Sequence, residues 1–111
     1  MILTYNLLRK KIDIDLQLSM LSNDVREIDQ AIKIHEIQRV SLGLAQSYTE
    51  LFFIQKGIEW NGQIKIKDLD TIIYDLQKQN QNRRFTADKY PSLLNALIYA
   101  KDISIFLLEL D

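Results

Sequence analysis

A chain of 111 residues has room for one domain, and 47% apolar with 26% charged residues is the composition of a folded protein and not of a disordered tail. The 14 basic against 15 acidic side chains leave a formal charge of -1, which supplies no global field toward nucleic acid, an anionic membrane or a basic partner. The absence of cysteine excludes disulfides, thiolate chemistry and Cys-based zinc sites.

The amino-terminal run MILTYNLLRKK places its basic cluster, Arg9, Lys10 and Lys11, after a short apolar stretch. That is the reverse of a secretory signal, no small-residue cleavage site follows, and the expected location is cytoplasmic. From Lys10 to Ile32 two periods compete. Ile12, Ile14, Leu16, Leu18 and Met20 alternate as on a strand, whereas Ile14, Leu18, Leu21, Val25, Ile28 and Ile32 follow helical spacing. The alternation stops at Leu21 and the helical spacing continues, so helix is expected. Ser22-Asn23-Asp24 is the one break signal, and Asp24 with Glu27 fits a capping box, giving helices near 3–21 and 24–55, with one uninterrupted helix as the alternative.

Gly57 follows as a helix stop. The second half of that helix is apolar nearly all round. On a helical wheel Ile37, Val40, Leu44, Tyr48 and Leu51 form one flank, and Ile34, Leu42, Ala45 and Phe53 another. The second flank is the candidate apolar interface. In GIEWNGQIKIKDLD the Asn61-Gly62 pair, set between short β-prone arms, predicts a β-hairpin near 58–66. Trp60 beside it is a candidate aromatic contact, with packing of its ring on a neighbouring helix as the simpler role. Helical spacing resumes from Asp68, read as an N-cap, through Leu69, Ile72, Ile73 and Leu76. NQNRRFTADKY is the one loop-like polar stretch.

Pro91 suits the first turn of a last helix that runs to the carboxyl end, with Asn95, Asp102 and Glu109 as its narrow polar stripe. Leu93 to Leu110 approaches membrane-spanning length, but Lys101, Asp102 and Glu109 within it favour a buried helix, and no membrane partner is expected. The chain thus reads as a single helical domain, 1–111, mainly α: a bundle of about four helices, two of them long. A helix over 24–55 would be roughly 48 Å long, whereas a compact chain of this length is roughly 34 Å across. The helix should overhang its own domain and leave apolar surface for another molecule, so an oligomer or a standing protein partner is expected.

Signatures of chemistry are sparse. The single histidine, His35, has Glu36 beside it and Arg39 one turn on, which is more often a boundary residue than a catalyst. Asp13/Asp15 and Asp68/Asp70 pair carboxylates two apart, which on a helix point to different faces. No phosphate-cradling, zinc-binding or nucleophile-elbow motif is present, so no catalytic residue, metal or cofactor is assigned and an enzyme is not expected. Arg83, Arg84, Phe85, Lys89 and Tyr90 form a candidate binding loop, and Arg9, Lys10 and Lys11 a candidate basic patch. The leading expectation is a small non-enzymatic interaction or regulatory protein (adaptor, inhibitor or assembly subunit) acting through apolar helical surfaces, with size and charge that suit a phage or mobile-element product. The alternatives are a nucleic-acid-associated accessory protein using the basic loop, and a small-ligand or nucleotide binder at an oligomer interface.

Overall fold

The computed structural model describes residues 1–81 and 89–110. Its elements in chain order are β1 (Leu3–Thr4), α1 (Tyr5–Ser19), α2 (Val25–Gln55), β2 (Gln63–Ile64), α3 (Ile66–Gln81) and α4 (Lys89–Glu109). Helix is the outcome of the competition between periods. The buried face of α1, however, is Tyr5, Leu8 and Ile12, while Ile14 and Leu18 of the expected seam face solvent. The seam does not continue into α2, because the chain turns at 20–24. There the amides of Leu21 and Ser22 bond back to the carbonyls of Leu18 and Ser19, a tightened last turn.

Helix α2 begins and ends where its caps dictate. Asp24 has extended backbone geometry, and its carboxylate accepts from the Arg26 amide at 2.9 Å. Glu27 does not reach back to the Asp24 amide as a simple capping box requires. The Ser22 hydroxyl stands between them, accepting from the Asp24 amide at 3.1 Å and donating to Glu27 at 2.6 Å. At the other end Gly57 takes φ +69. The amides of Gly57 and Ile58 then close onto the carbonyls of Ile54 and Phe53, both at 3.0 Å, the paired bonds of a Schellman stop.

That stop explains a difference from expectation at 58–66. A two-stranded antiparallel element is present and β2 falls inside the expected range, but its partner is β1, with Leu3 opposite Ile64 and Thr4 opposite Gln63. The Ile58 amide is committed to ending α2, and Trp60 is held by its side chain, so the arm before Asn61 does not form the second strand. Asn61 instead accepts from the Gln63 amide through its side chain at 3.0 Å, and Gly62 has φ +84. Thr4 ends β1 and caps α1, accepting from the Leu7 amide at 3.2 Å. Helix α3 starts before Asp68: the amides of Asp68 and Leu69 bond to the Lys65 carbonyl. Asp68 is therefore a first-turn residue and not the N-cap, where its charge still favours the helix dipole.

One continuous core joins both strands and all four helices. Leu42, Ala45 and Phe52 of α2 share it with Ala96, Leu97, Ala100 and Ile103 of α4 and with Leu69, Ile72 and Leu76 of α3. Ala96, Ala100 and Ser104 recur every four residues, a strip of small side chains of α4 in the core. The buried hydroxyls of Thr49 and Ser104 donate to the carbonyls of Ala45 and Ala100, each at 2.7 Å, so burying them leaves no orphaned donor. The expected polar stripe of α4, Asn95, Asp102 and Glu109, is exposed. Helix α4 is also long and apolar enough to cross a membrane by length and composition; here it supplies six buried residues.

Tyr5 links α1 to α2: its hydroxyl lies 2.9 Å from the Thr49 hydroxyl, which already donates to Ala45. Burial pushes the Tyr5 hydroxyl from an ordinary 10.0 up to about 12. The folded state thus keeps a proton that the unfolded chain releases near pH 10. Stability is unaffected below that pH and falls as pH rises from about 10 toward about 12, by on the order of 2 kcal/mol. Urea midpoints at pH 8 and pH 11.5 should show this loss in the parent chain and a smaller one in Tyr5→Phe. Equal losses would refute it. A slope remains in the variant, because burial and then the Asp15 charge also raise Tyr99 to about 12.

The molecule measures 49 × 34 × 19 Å, with a radius of gyration of 15.5 Å. A compact chain of this length is expected near 13 Å. The longest dimension matches the roughly 46 Å span of α2, so α2 sets the length of the whole slab, as its sequence implied.

Candidate interaction surface

The two flanks of α2 have opposite fates. Leu42 and Ala45, two of the residues expected to form an interface, are fully buried inside the chain, and Phe53 is half-buried against Trp60. Only Ile34 of that set remains exposed. The correction follows from how the neighbours lie: α1 and α4 pack on α2 from either side and consume the flank containing Leu42, Ala45, Thr49 and Phe52. A helix apolar all round carries no internal signal of which side its own chain will cover.

Of the other flank Tyr48 packs against the core, while Ile37, Val40, Leu44 and Leu51, joined by Ile54, stay bare. Ile37 is 67%, Val40 64% and Ile54 72% exposed, with Leu44 and Leu51 also open to solvent. Together with Lys33 and Ser47 these residues fall at alternating spacings of four and three, the heptad pattern of a helix seam. Leu42, Ala45, Thr49 and Phe52 repeat the same spacing on the opposite side. Helix α2 therefore carries two parallel seams, one filled and one empty. Shallow grooves border the empty one. One of about 480 Å³ is lined by Ile37, Val40 and Leu44 with Ser92 and Asn95 of α4. The other, of about 440 Å³, lies between Val40, Arg39 and Glu36 of α2 and Arg9 of α1. Gly43 sits at the edge of the ridge, and nothing lies within 4 Å of where its Cβ would be.

A second exposed apolar area caps the α1–α2 end of the slab, where Ile14, Leu18, Leu21 and Val25 project. Behind it a cleft of about 240 Å³ is lined by Asp15, Ser19, Glu27, Ala31 and His35 among others. His35 lies 2.7 Å from Asp13 across the two helices, a partner that neighbouring residues in sequence did not suggest. Asp15 pairs instead with Lys11 on the other side of α1. The two carboxylates do not converge, and no group of three or more metal-ligating side chains occurs among the described residues. Asp70 joins α3 to α4 through Lys101 at 2.6 Å.

The remaining sequence candidates are dispersed. Of the basic patch, Arg9 donates to Asn6 and to Gln46 of α2, Lys11 lies over the Phe106 ring at 4.9 Å besides its pairing with Asp15, and Lys10 is the one exposed member. Arg83, Arg84 and Phe85 lie outside the described residues. Lys89 is exposed at the start of α4, and Tyr90 packs its ring on the core. Trp60 stacks on Phe53 at 5.8 Å, meets Tyr5 edge-on at 6.1 Å, and donates its indole proton to the Gln63 carbonyl at 3.0 Å. A polar cleft of about 420 Å³ opens beside it, lined by Asn6, Gln46, Glu50 and Asn61 among others.

The signal that sequence reading passed over was the heptad spacing of the outer ridge, present in the letters from Lys33 to Ile54 but competing with an equally good seam on the opposite side. Comparison of the chain with protein-family models, with curated proteins and with solved structures returned no match.

Proposed function

We propose that this chain is a small non-enzymatic interaction protein, an adaptor, inhibitor or assembly subunit, that works by presenting the outer ridge of α2 to another polypeptide. The observation that carries this reading is the row of large aliphatic side chains on one helix face, left open to water along most of its length. Isolated exposed aliphatic residues are ordinary on protein surfaces. A contiguous row at coiled-coil spacing is not, because each member leaves hydrophobic free energy unrealised that a covering helix would recover. The nucleic-acid alternative gains no comparable support: two of the three cations of the amino-terminal patch are engaged within the chain.

Replacing Ile37, Val40 and Leu51 together with serine tests the reading. All three are exposed or at the ridge, so the helical circular dichroism should be preserved. Association with any polypeptide, whether the same chain or another that co-purifies from the source cells, should be lost. A variant that associates as the parent does in both measurements would overturn the reading.

A further inference from the structure

We propose that the occupant of the ridge is a second copy of this chain, whose α2 lies antiparallel along the first across a two-fold axis near residues 45 and 46. The inference rests on the interaction reading above and names its partner. Three observations carry it, the first being period. A row repeating at alternating four and three residues fits another long helix crossing at a shallow angle, not a compact pocketed surface. The empty seam runs from Lys33 to Ile54, roughly 32 Å at the rise of an α-helix. Among the described elements α4 spans a similar length but exposes the polar stripe Asn95, Asp102 and Glu109, whereas α2 covers the length and carries the apolar row itself.

Area is the second. The chain exposes 7657 Å², against roughly 6400 Å² for a folded monomer of its mass. The surplus, on the order of 1200 Å², exceeds one partner's share of a standard interface, about 800 Å².

The third is complementarity. In the antiparallel register Ile37 meets the second copy's Ile54, Val40 meets its Leu51, and Leu44 covers its Ser47. Glu50 then lies beside Gly43, the mid-helix glycine with open space where a side chain would project, so the two acidic residues bordering the ridge, Glu36 and Glu50, do not oppose one another. A parallel pair in register would instead set Lys33 against Lys33 and Ser47 against Ser47 within the seam, wasting one layer and opposing two cations. A mid-helix glycine costs about 1 kcal/mol relative to alanine, and nothing within the chain uses the space it leaves; a closely approaching helix does.

The chain has no cysteine, so single introduced thiols report the geometry without background. Sedimentation equilibrium at high micromolar concentration should give the mass of two chains, and Val40→Glu and Leu44→Glu should each weaken the pair by roughly 30-fold or more while leaving the circular dichroism unchanged. Mild oxidation of a mixture of I37C and I54C chains should yield the mixed disulfide, and neither variant alone should cross-link. Efficient cross-linking of I37C to itself would overturn the antiparallel arrangement. A strictly monomeric mass would overturn the second copy as occupant. In that case, ridge-dependent retention of a different polypeptide leaves the interaction reading standing, and its absence removes both.

Discussion

Leu42→Ala should lower the unfolding free energy by about 2–5 kcal/mol, whereas Leu44→Ala, two residues further along the same helix, should cost well under half as much in dilute solution. Leu42 is completely buried in the core that α2 shares with α4, so truncation removes its transfer free energy and leaves a cavity there. Leu44 is on the opposite seam and 38% exposed, and water already fills the space beside it. The pair of measurements discriminates two sides of one helix that look alike in composition. Urea unfolding at low protein concentration reads the difference, and equal losses at the two positions would contradict the placement of α2. Raising the protein concentration should enlarge the cost of Leu44→Ala relative to Leu42→Ala, since only the former residue lies on the proposed contact.

Trp60→Ala should be nearly as damaging, at about 3 kcal/mol. The indole sits between Phe53 at the end of α2 and Tyr5 at the start of α1, and its proton satisfies the Gln63 carbonyl beside the β1–β2 pair. Removing it separates three elements at once, so hydrogen exchange at the Ile64 amide should rise along with the fall in stability. Trp60→Phe restores a ring but not the donor, and should recover most of the loss apart from about 1 kcal/mol for the unsatisfied carbonyl. If Trp60→Ala lost less than the phenylalanine variant, the three-ring cluster would not be what holds this end of the slab.

Local rules made much of the fold legible. Asp24 and Gly57 bound α2 because a side-chain acceptor at one end and a positive φ at the other are decided within a few residues. The polar stripe of α4 could be read for the same reason, since a single periodicity governs it. The strand Leu3–Thr4 could not: it is short, it merges with the helical pattern that follows, and its partner is at Gln63–Ile64. The choice between the two seams of α2 depends on where α1 and α4 dock, which is information held in other parts of the chain. The Asp13 contact of His35 and the Gln46 contact of Arg9 likewise join α1 to α2 across a turn, so neighbours in sequence gave no hint of them. Of the candidate site, the apolar excess was visible early and the face that carries it was not.

The pairing of Leu3 with Ile64 bears on biosynthesis. During synthesis β1 stays single until β2 emerges some sixty residues later, and the core residues of α2 wait longer still for those of α4. Until then α1 alone covers part of the inner seam of the longest helix, and its outer seam is wet. Because α4 is made after the helices it covers, the inner seam of α2 is completed by a contact that forms late in chain order, which favours protection of α2 while α4 is still missing.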